Sequence, residues 1–334
     1  MKHLKTVSSI IFSVLLLWAS HGAADYSSHP QIQGFIADMR SKHAFDEQPL
    51  RELFAQVEKK QAILDAIARP AEKTLTWAEY QDIFIQDTRI EGGVDFWREH
   101  EADLQRAYDR FGVAPQIIVA ILGVETRYGK TMGSYRVIDA LSTLGFDYPP
   151  RASFFRKELE HFLLLAREQE QDPLSLAGSY AGAMGYGQFM PSSYRAYAVD
   201  FDDDAFVDIW KNPSDAIGSV ANYLSRHGWQ KDALVASRAR ATDKYNSAIL
   251  TKGLMLEHKV AALISAGLKP VDNLHDDKDA MAFKLDGKQG AEFWIGLKNF
   301  EVITRYNRSQ LYAMAVYQLG EQIEQARARL LSSR

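Results

Sequence analysis

The 334-residue sequence contains no cysteine. Disulfide bonds, cysteine-ligated zinc, a thiol nucleophile and an N-terminal cysteine that carries lipid are therefore excluded. A surplus of basic residues is also missing, because 39 Lys and Arg face 43 Asp and Glu and give a formal net charge of −4. Proteins that bind nucleic acid carry a basic footprint, so we expect no nucleic-acid partner.

Motifs of several hydrolase classes are missing as well. The sequence has no His-Glu-x-x-His, no Gly-x-Ser-x-Gly and no pair of histidines at metal-ligand spacing. Metalloprotease and serine-hydrolase activities therefore have no support. The residues present are 46% hydrophobic and 25% charged. That composition and a length sufficient for about two domains predict a globular protein with a sizeable core.

Residues 1–24 combine two lysines, a short apolar run and the small residues Gly22, Ala23 and Ala24. This order is typical of a secretory signal peptide. The run is shorter than the roughly 20 residues that cross a bilayer, and no later segment is apolar for long enough. A retained membrane anchor is the alternative. We expect cleavage of residues 1–24 and a soluble protein in a bacterial periplasm, with secretion beyond it left open.

Apolar residues recur at helical spacing between Phe35 and Tyr223. One such stripe, at i, i+3, i+4 and i+7, consists of Leu50, Leu53, Phe54 and Val57. It predicts a helix that ends at Arg69-Pro70. Thr76 is the predicted N-cap of the next helix.

The pattern changes after about Thr251. Alternating apolar residues predict short strands at residues 281–285, 293–295 and 300–304, with a turn at Asp286-Gly287 and a polar loop at residues 270–279. Helical spacing returns from Ser309. The predicted fold class is therefore mainly α with a small antiparallel β insert.

A carboxylate follows an unbroken apolar run. Pro115 can occupy the first position of a helix, and residues 117–124 contain no polar side chain, so we predict a buried helix. Glu125 comes next, and apolar surroundings should raise the pKa of its carboxyl. A carboxyl that stays protonated near neutral pH suits a general acid. The alternative is a helix-end glutamate that pairs with Arg127 or reaches solvent.

Residues 178–191 contain four glycines and three aromatic residues. The glycine order is not that of a dinucleotide site, and the Lys-Ser/Thr pair of a phosphate loop is missing. Glycines allow a ligand to approach the backbone, the Gln188 amide can donate and accept hydrogen bonds, and aromatic faces suit sugar rings. The alternative is an irregular, tightly packed turn.

Alternating acids after residue 199 match part of a calcium-binding loop. Positions 1, 3, 5 and 7 of that loop correspond to Asp200, Asp202, Asp204 and the Phe206 carbonyl. The usual Gly at position 6 and Glu at position 12 are Ala205 and Lys211, and Asp215 is the nearest later carboxylate. A solvated acidic turn, with Asp215 capping the helix after Pro213, is the alternative.

Four segments together resemble the lytic murein transglycosylase B family. They are GVETRYG at residues 123–129, AMGYGQFMPSS at 183–193, DAIGSVANY at 215–223 and ITRYN at 303–307. The resemblance extends from about Phe35 to Gly320. It implies a lysozyme-like helical core at residues 113–250 with an EF-hand-like loop. It also implies a helical domain at residues 25–112 and 305–334 and a small β domain at residues 251–304.

The family chemistry implied is non-hydrolytic cleavage of the β-1,4 bond between N-acetylmuramic acid and N-acetylglucosamine in peptidoglycan, which leaves a 1,6-anhydromuramoyl end. Glu125 takes the position of the single catalytic acid/base, and no catalytic cofactor is implied. The matched glycan-binding positions are Ser179, Gln188, Phe189, Tyr223, Tyr306, Asn307, Tyr312, Arg151 and Tyr80. A hydrolytic muramidase and a non-catalytic peptidoglycan-binding scaffold remain the alternatives.

The resemblance also implies a structural Ca²⁺. Its ligands would be Asp200, Asp202, Asp204, the Phe206 carbonyl and Asp215, although Ala205 and an extra residue near Lys211 depart from the family loop. Because an N-terminal cysteine marks the lipoprotein form, the sequence is more similar to a soluble relative. The partners implied are peptidoglycan glycan strands and cell-wall synthesis complexes.

Overall fold

A computed structural model describes residues 26–68 and 75–332. The signal peptide predicted for residues 1–24 and the helix end predicted at Arg69-Pro70 lie outside the described residues. The chain divides into two compact units, Met1–Lys59 and Lys60–Arg334.

The first unit contains helix α1 (Ile32–His43) and helix α2 (Glu47–Phe54). Helix α1 buries a stripe of apolar residues, Ile32, Phe35, Ile36 and Met39, and ends where Ala44 adopts a left-handed conformation. The predicted helix that runs through Val57 is interrupted, because α2 ends at Phe54. The chain leaves helical geometry before Lys60, whose backbone N–H donates to the Thr143 hydroxyl at 3.0 Å.

The second unit is mainly helical. Its helices are α3 (Gln61–Ile67), α4 (Trp77–Phe84), α5 (Asp87–Glu99), α6 (Glu101–Phe111), α7 (Pro115–Thr126), α8 (Val137–Asp147), α9 (Ala152–Glu168), α10 (Pro191–Tyr197), α11 (Pro213–Arg226), α12 (Val260–Ser265), α13 (Lys298–Tyr306) and α14 (Gln310–Ser332). Within the described ranges, no single helix is long and apolar enough to cross a bilayer; α6 and α7 meet the criterion only as a pair bent by 115°.

Helix α7 is the central helix of this unit. Pro115 begins it, and every residue from Ile117 to Val124 is buried, as the sequence predicts. Helices α5, α6, α11 and α14 all contact it. An apolar helix that is surrounded in this way gives a rigid support for the residue at its end.

The β insert is antiparallel, as predicted. Its strands are β3 (Ala236–Ala241), β4 (His258–Lys259), β5 (Leu268–Pro270), β6 (Asp279–Gly287) and β7 (Gly290–Gly296), in the order β4-β6-β7-β3-β5. In the β6–β7 hairpin Phe283 pairs with Trp294 and Gly287 with Gly290. A separate two-stranded ladder joins β1 (Tyr135–Arg136) to β2 (Ala177–Gly178).

Three further local predictions differ from the structure. The turn predicted at Asp286-Gly287 lies two residues later, at residues 288–289, because both predicted residues belong to β6. The strand predicted at residues 300–304 is wrong, because these residues lie in helix α13. Phe300, Val302 and Ile303 are all buried, and a short run buried on several sides does not distinguish a strand from a helix. The sheet also begins earlier than predicted, at Ala236 in β3. The domain limits at residues 112, 250 and 304 stay a prediction.

Candidate active site

Glu125 lies in the last turn of α7, immediately before the chain changes direction. The helix ends at Thr126, and Arg127 and Tyr128 have φ values of 51° and 62°. The Glu125 side chain is half-buried, unlike the fully buried residues that precede it. Its Oε1 accepts a hydrogen bond of 2.6 Å from the Tyr312 hydroxyl. The carboxyl is therefore held at one oxygen at the surface of the buried core.

Tyr312 belongs to the first turn of α14 and is 2% exposed. Burial raises the pKa of its phenol well above the usual value, and the neighbouring Glu125 and Tyr306 raise it further. The phenol therefore stays protonated and can only donate to a Glu125 carboxylate. Tyr80, on α4, is also buried and contributes to the same rise in the pKa of Tyr312.

Three more of the predicted glycan-binding residues form an aromatic cluster beside this pair. The Tyr306 ring is parallel to the Tyr312 ring, with centroids 6.5 Å apart. Tyr223 packs edge-on against Tyr306 at 4.9 Å, and Phe189 contacts both rings at 5.8 and 5.9 Å. The structure thus brings together residues from α11, α13, α14 and the Gly-rich segment.

The hydroxyls of this cluster are bonded to the backbone. Tyr306 donates to the Gly187 carbonyl at 2.6 Å, and Tyr223 donates to the Arg305 carbonyl at 2.6 Å. Burial raises the pKa of Tyr306 well above its usual value and that of Tyr223 to about 12. These hydroxyls stay protonated. The Tyr306 bond fixes the Gly-rich segment to α13, and the Tyr223 bond fixes α11 to α13.

The Gly-rich segment is a compact loop with internal bonds. Its Gln188 has φ of 50°, and its amide nitrogen donates to the carbonyls of Met132 (3.2 Å) and Gly185 (2.9 Å). Ser179 accepts the backbone N–H of Ala183 at 3.0 Å. The tight packing proposed as the alternative is therefore present, and a ligand that accepts from the Gln188 amide nitrogen has to exchange with its two bonds.

Gly185 shows why glycine occurs in this loop. It has φ of 65°, and a Cβ at this position would overlap the Ile209 carbonyl. Close approach of two backbones therefore requires glycine here.

The sequence alone assigns no role to Thr126. Its hydroxyl lies 2.9 Å from the Tyr186 carbonyl and accepts the Gly129 N–H at 3.0 Å. It thereby connects the end of α7 to the Gly-rich loop, across 60 residues of sequence. The signal in the sequence was only its position next to Glu125.

Two predicted binding residues have other surroundings. The Arg151 guanidinium lies over the rings of Phe154 (4.5 Å) and Phe155 (5.1 Å). Asn307 is the C-cap of α13, and its carbonyl accepts the Ser309 N–H at 2.8 Å. These ring contacts do not connect Arg151 to the aromatic cluster, whereas Asn307 adjoins Tyr306 in the chain.

The acidic loop brings three of its carboxylates together. Oxygen atoms of Asp200, Asp202 and Asp204 all lie within 4.8 Å of one another. Asp200 also accepts the N–H groups of Asp204 (3.2 Å) and Ala205 (2.9 Å). Ala205 has φ of 76°, the left-handed conformation for which the usual loop supplies glycine. Three convergent carboxylates match the ligand chemistry of a hard divalent cation.

Asp215 is not part of that group. It is fully buried at the start of α11, and its two oxygens accept the N–H groups of Phe201 and Asp208, each at 2.7 Å. Burial raises the pKa of Asp215 to about 6, against the effect of these hydrogen bonds. Asp215 therefore holds the two ends of the loop. The Phe206 N–H donates to Asp204, and its side chain is exposed.

A cleft of about 450 Å³ lies away from Glu125. Its lining includes Met132, Leu176, Tyr194 and Trp210. It adjoins the back of the Gly-rich loop, since the Met132 carbonyl accepts the Gln188 amide. Its size alone gives no reason to place the reaction there, because the Glu125 carboxyl is not in it.

Comparisons with known proteins agree with this geometry. Residues 27–321 match the transglycosylase SLT domain family. Membrane-bound lytic murein transglycosylase B of Escherichia coli (strain K12) is 45% identical over 312 residues, which cover 91% of this chain and 85% of that protein.

Two solved structures are similar over nearly their whole length. Soluble lytic transglycosylase SltB1 from Pseudomonas aeruginosa is 55% identical, with a TM-score of 0.86 over 90% of this chain and 100% of that one. Escherichia coli lytic transglycosylase Slt35 in complex with calcium is 45% identical, with a TM-score of 0.84 over 92% and 96% of the two chains. The predicted family is confirmed: the chain belongs to the SLT-domain transglycosylases and, within them, to the lytic murein transglycosylase B family.

Proposed function

We propose that this protein is a lytic transglycosylase that cleaves the β-1,4 bond between N-acetylmuramic acid and N-acetylglucosamine in peptidoglycan. The observation that carries the proposal is the half-buried Glu125 at the end of α7, held by Tyr312 at 2.6 Å. The relatives named as lytic transglycosylases support the same reaction class.

Glu125 acts as the single acid and base. Its carboxyl protonates the glycosidic oxygen as the bond from that oxygen to C1 breaks. C1 belongs to the N-acetylmuramic acid residue. The C6 hydroxyl of that residue then attacks C1, and the hydroxyl proton passes to Glu125. The 1,6-anhydro product forms without water, and the substrate's N-acetyl group stabilises the positive charge at C1. A second carboxylate of the usual glycosidase pair is not needed, because the substrate supplies the nucleophile.

Tyr312 is a positioning residue in this proposal rather than a sugar ligand. Its hydroxyl is used on Oε1 of Glu125, and burial of the ring fixes that contact. That bond positions the carboxyl that exchanges the proton. Glycan binding is assigned to the residues that remain from the resemblance, Ser179, Gln188, Phe189, Tyr223, Tyr306, Asn307, Arg151 and Tyr80. Of the aromatic rings among them, Phe189, Tyr223 and Tyr80 are all buried, so a sugar would contact only the parts of these rings that reach the surface.

The test is digestion of purified murein by the wild type and by Glu125→Gln, with the ends identified by mass spectrometry. We expect anhydro-muropeptides from the wild type, none from Glu125→Gln, and unchanged circular dichroism. Glu99→Gln, an exposed position on α5, is the matched control and keeps full activity. Products one water heavier would identify a hydrolytic muramidase, and a wild type without products would identify a binding scaffold.

We also propose that the acidic loop binds a structural Ca²⁺ through Asp200, Asp202, Asp204 and the Phe206 carbonyl. The convergent carboxylates support the proposal, and the Slt35 relative is described in complex with calcium. The ion would offset the repulsion among these carboxylates. Its role is structural, since the acid/base chemistry above is carried out by Glu125.

The proposed location is the periplasm, with the protein soluble after removal of residues 1–24. The charged, apolar and small-residue order of that segment supports export. The proposed partners are peptidoglycan glycan strands and the complexes that synthesise the cell wall.

A further inference from the structure

A small basic pocket lies between the start of α5 and the end of α7. It has a volume of about 130 Å³, and its lining includes Thr88, Arg89, Arg127, Tyr128 and Lys130. Arg127 follows Glu125 by two residues. The pocket is not used by the proposed reaction, and its three cationic side chains require an explanation of their own.

Arg89 is the unusual member, because it is a guanidinium that is only 6% exposed. One of its terminal nitrogens, Nη1, donates to the Ile83 carbonyl at 3.0 Å, and the group lies over the Phe84 ring at 5.0 Å. Its Nε is buried without a hydrogen-bond partner in the described structure. A buried charge is normally paired with an opposite charge. Among the described residues, the Arg89 guanidinium has no carboxylate as such a partner.

Over the same described residues, the other two cations, Arg127 and Lys130, also lack a carboxylate partner. In the described part of the chain, no carboxylate forms an ion pair with Arg89, Arg127 or Lys130. Burial lowers the pKa of Arg89, and the positive charge of Arg127 lowers it further. Asp87, the acid of the first turn of α5, is exposed and does not line the pocket. The pocket therefore concentrates positive charge.

The packing of Tyr128 against α5 fixes the positions of these cations. Tyr128, in the left-handed region, donates its hydroxyl to the Arg89 carbonyl at 2.7 Å and stacks on Phe96. Gly92 allows the contact, because a Cβ there would come within 3.0 Å of the Tyr128 ring. The cations therefore converge through the packing of α5 against the turn after α7.

The start of α5 adds a further attraction for an anion. Its N-cap residue Gln86 makes no side-chain bond to the first turn and instead donates its amide to the Asp82 carbonyl at 2.6 Å. The first N–H groups of the helix therefore have no side-chain cap, and the positive end of the helix dipole faces this region.

We propose that this pocket binds a small oxyanion, a carboxylate or a phosphate group, between Arg89, Arg127 and Lys130. Arginine matches both groups with two parallel hydrogen bonds. The peptide stems of murein carry carboxylates, so the substrate itself is one source, and a free phosphate-type anion is the other. The proposal goes beyond the proposed function and does not depend on it.

The first experiment measures binding on the resting protein. Inorganic phosphate and acetate are titrated at constant ionic strength while the ¹H–¹⁵N signal of the Arg89 Nε–H is followed. We expect saturable shifts with both anions. The variant Arg127→Asn with Lys130→Gln weakens binding by about tenfold or more, and asparagine tolerates the left-handed conformation at residue 127. The control Arg240→Gln with Lys244→Gln removes the same charge from exposed positions and binds like the wild type.

Shifts that do not saturate, or equal affinity in the Arg127→Asn, Lys130→Gln variant, would overturn the proposal. Turnover of stem-bearing murein and of stem-free glycan then separates the two sources. If the variant raises KM for stem-bearing murein alone, the oxyanion is a stem carboxylate. If phosphate binding is lost and both KM values are unchanged, it is a free anion. Because phosphate binding is measured without turnover, failure here leaves the Glu125 reaction untouched.

Discussion

At the scale of single residues, the site depends on a pair that the sequence could not show. Glu125 was identified because its signal is local, an apolar run that ends in a carboxylate. Tyr312 is 187 residues away and was assigned to the glycan. Only packing of α14 against α7 brings the two together. The sequence therefore indicated the proposed acid, whereas the hydroxyl that contacts it required the tertiary structure.

Tyr312→Phe tests the positioning role. The ring still fills its buried site, but Glu125 loses a donor, and a hydrogen bond to a charged group contributes about 1.5–3 kcal/mol. We expect kcat to fall about 10- to 100-fold with little change in KM. A donor favours the ionised carboxylate, so its removal favours the protonated form. The basic limb of the pH–kcat profile therefore moves to higher pH.

The matched control is Tyr317→Phe on the same helix, whose hydroxyl lies 3.4 Å from the Ala236 carbonyl. It keeps the wild-type pH profile. A Tyr312→Phe enzyme with an unchanged profile and a raised KM would show instead that the hydroxyl contacts the sugar.

At the scale of elements, local rules predicted the helices better than the strands. Pro115 and Thr76 begin α7 and α4 as expected, because each acts through its own neighbours. Strand β3 reads Ala-Ser-Arg-Ala-Arg-Ala and lacks the β-branched and aromatic residues that mark strands. Its pairing with β5 and β7 determines its conformation. The role of Asp215 in closing the acidic loop is likewise a tertiary feature, and its role as a Ca²⁺ ligand stays a prediction.

The capping box of α4 has a measurable role. The Thr76 hydroxyl accepts the Glu79 N–H at 3.3 Å, and the Glu79 carboxylate accepts the Thr76 N–H at 2.7 Å. Thr76→Ala removes the first bond, and we expect the free energy of unfolding to fall by about 1 kcal/mol. Urea denaturation measures the change. Thr76→Ser, which keeps the hydroxyl, stays close to the wild type; an equal loss in both variants would argue against the cap.

The acidic loop gives the metal-removal prediction. With Ca²⁺ at about 100 times its Kd, binding should stabilise the folded state by about 2.7 kcal/mol. EDTA should therefore lower Tm, and added Ca²⁺ should restore it. Asp202→Asn with Asp204→Asn removes two ligands and abolishes the response, whereas Asp276→Asn with Asp277→Asn, in another exposed loop, preserves it. If EDTA left the Tm of the wild type unchanged, the loop would not bind a stabilising Ca²⁺.

At the scale of the whole molecule, the candidate site depends on one rigid element. The contributing residues come from segments as distant as α7, the Gly-rich loop, α11 and the start of α14, and their common neighbour is α7. The amides of residues 118–124 are fully buried within a helix that contacts four others. Exposing them requires most of the second unit to open.

Native-state hydrogen exchange tests this directly. We expect the α7 amides to exchange slowest, with free energies equal to that of global unfolding of the second unit and the same dependence on denaturant. The amides of residues 202–205 lie in an exposed loop and should exchange by local opening, more slowly when Ca²⁺ is added. If α7 amides instead exchanged with small, denaturant-independent free energies, Glu125 would lie on a mobile element. The acid would then have to be positioned by the bound glycan rather than by the fold.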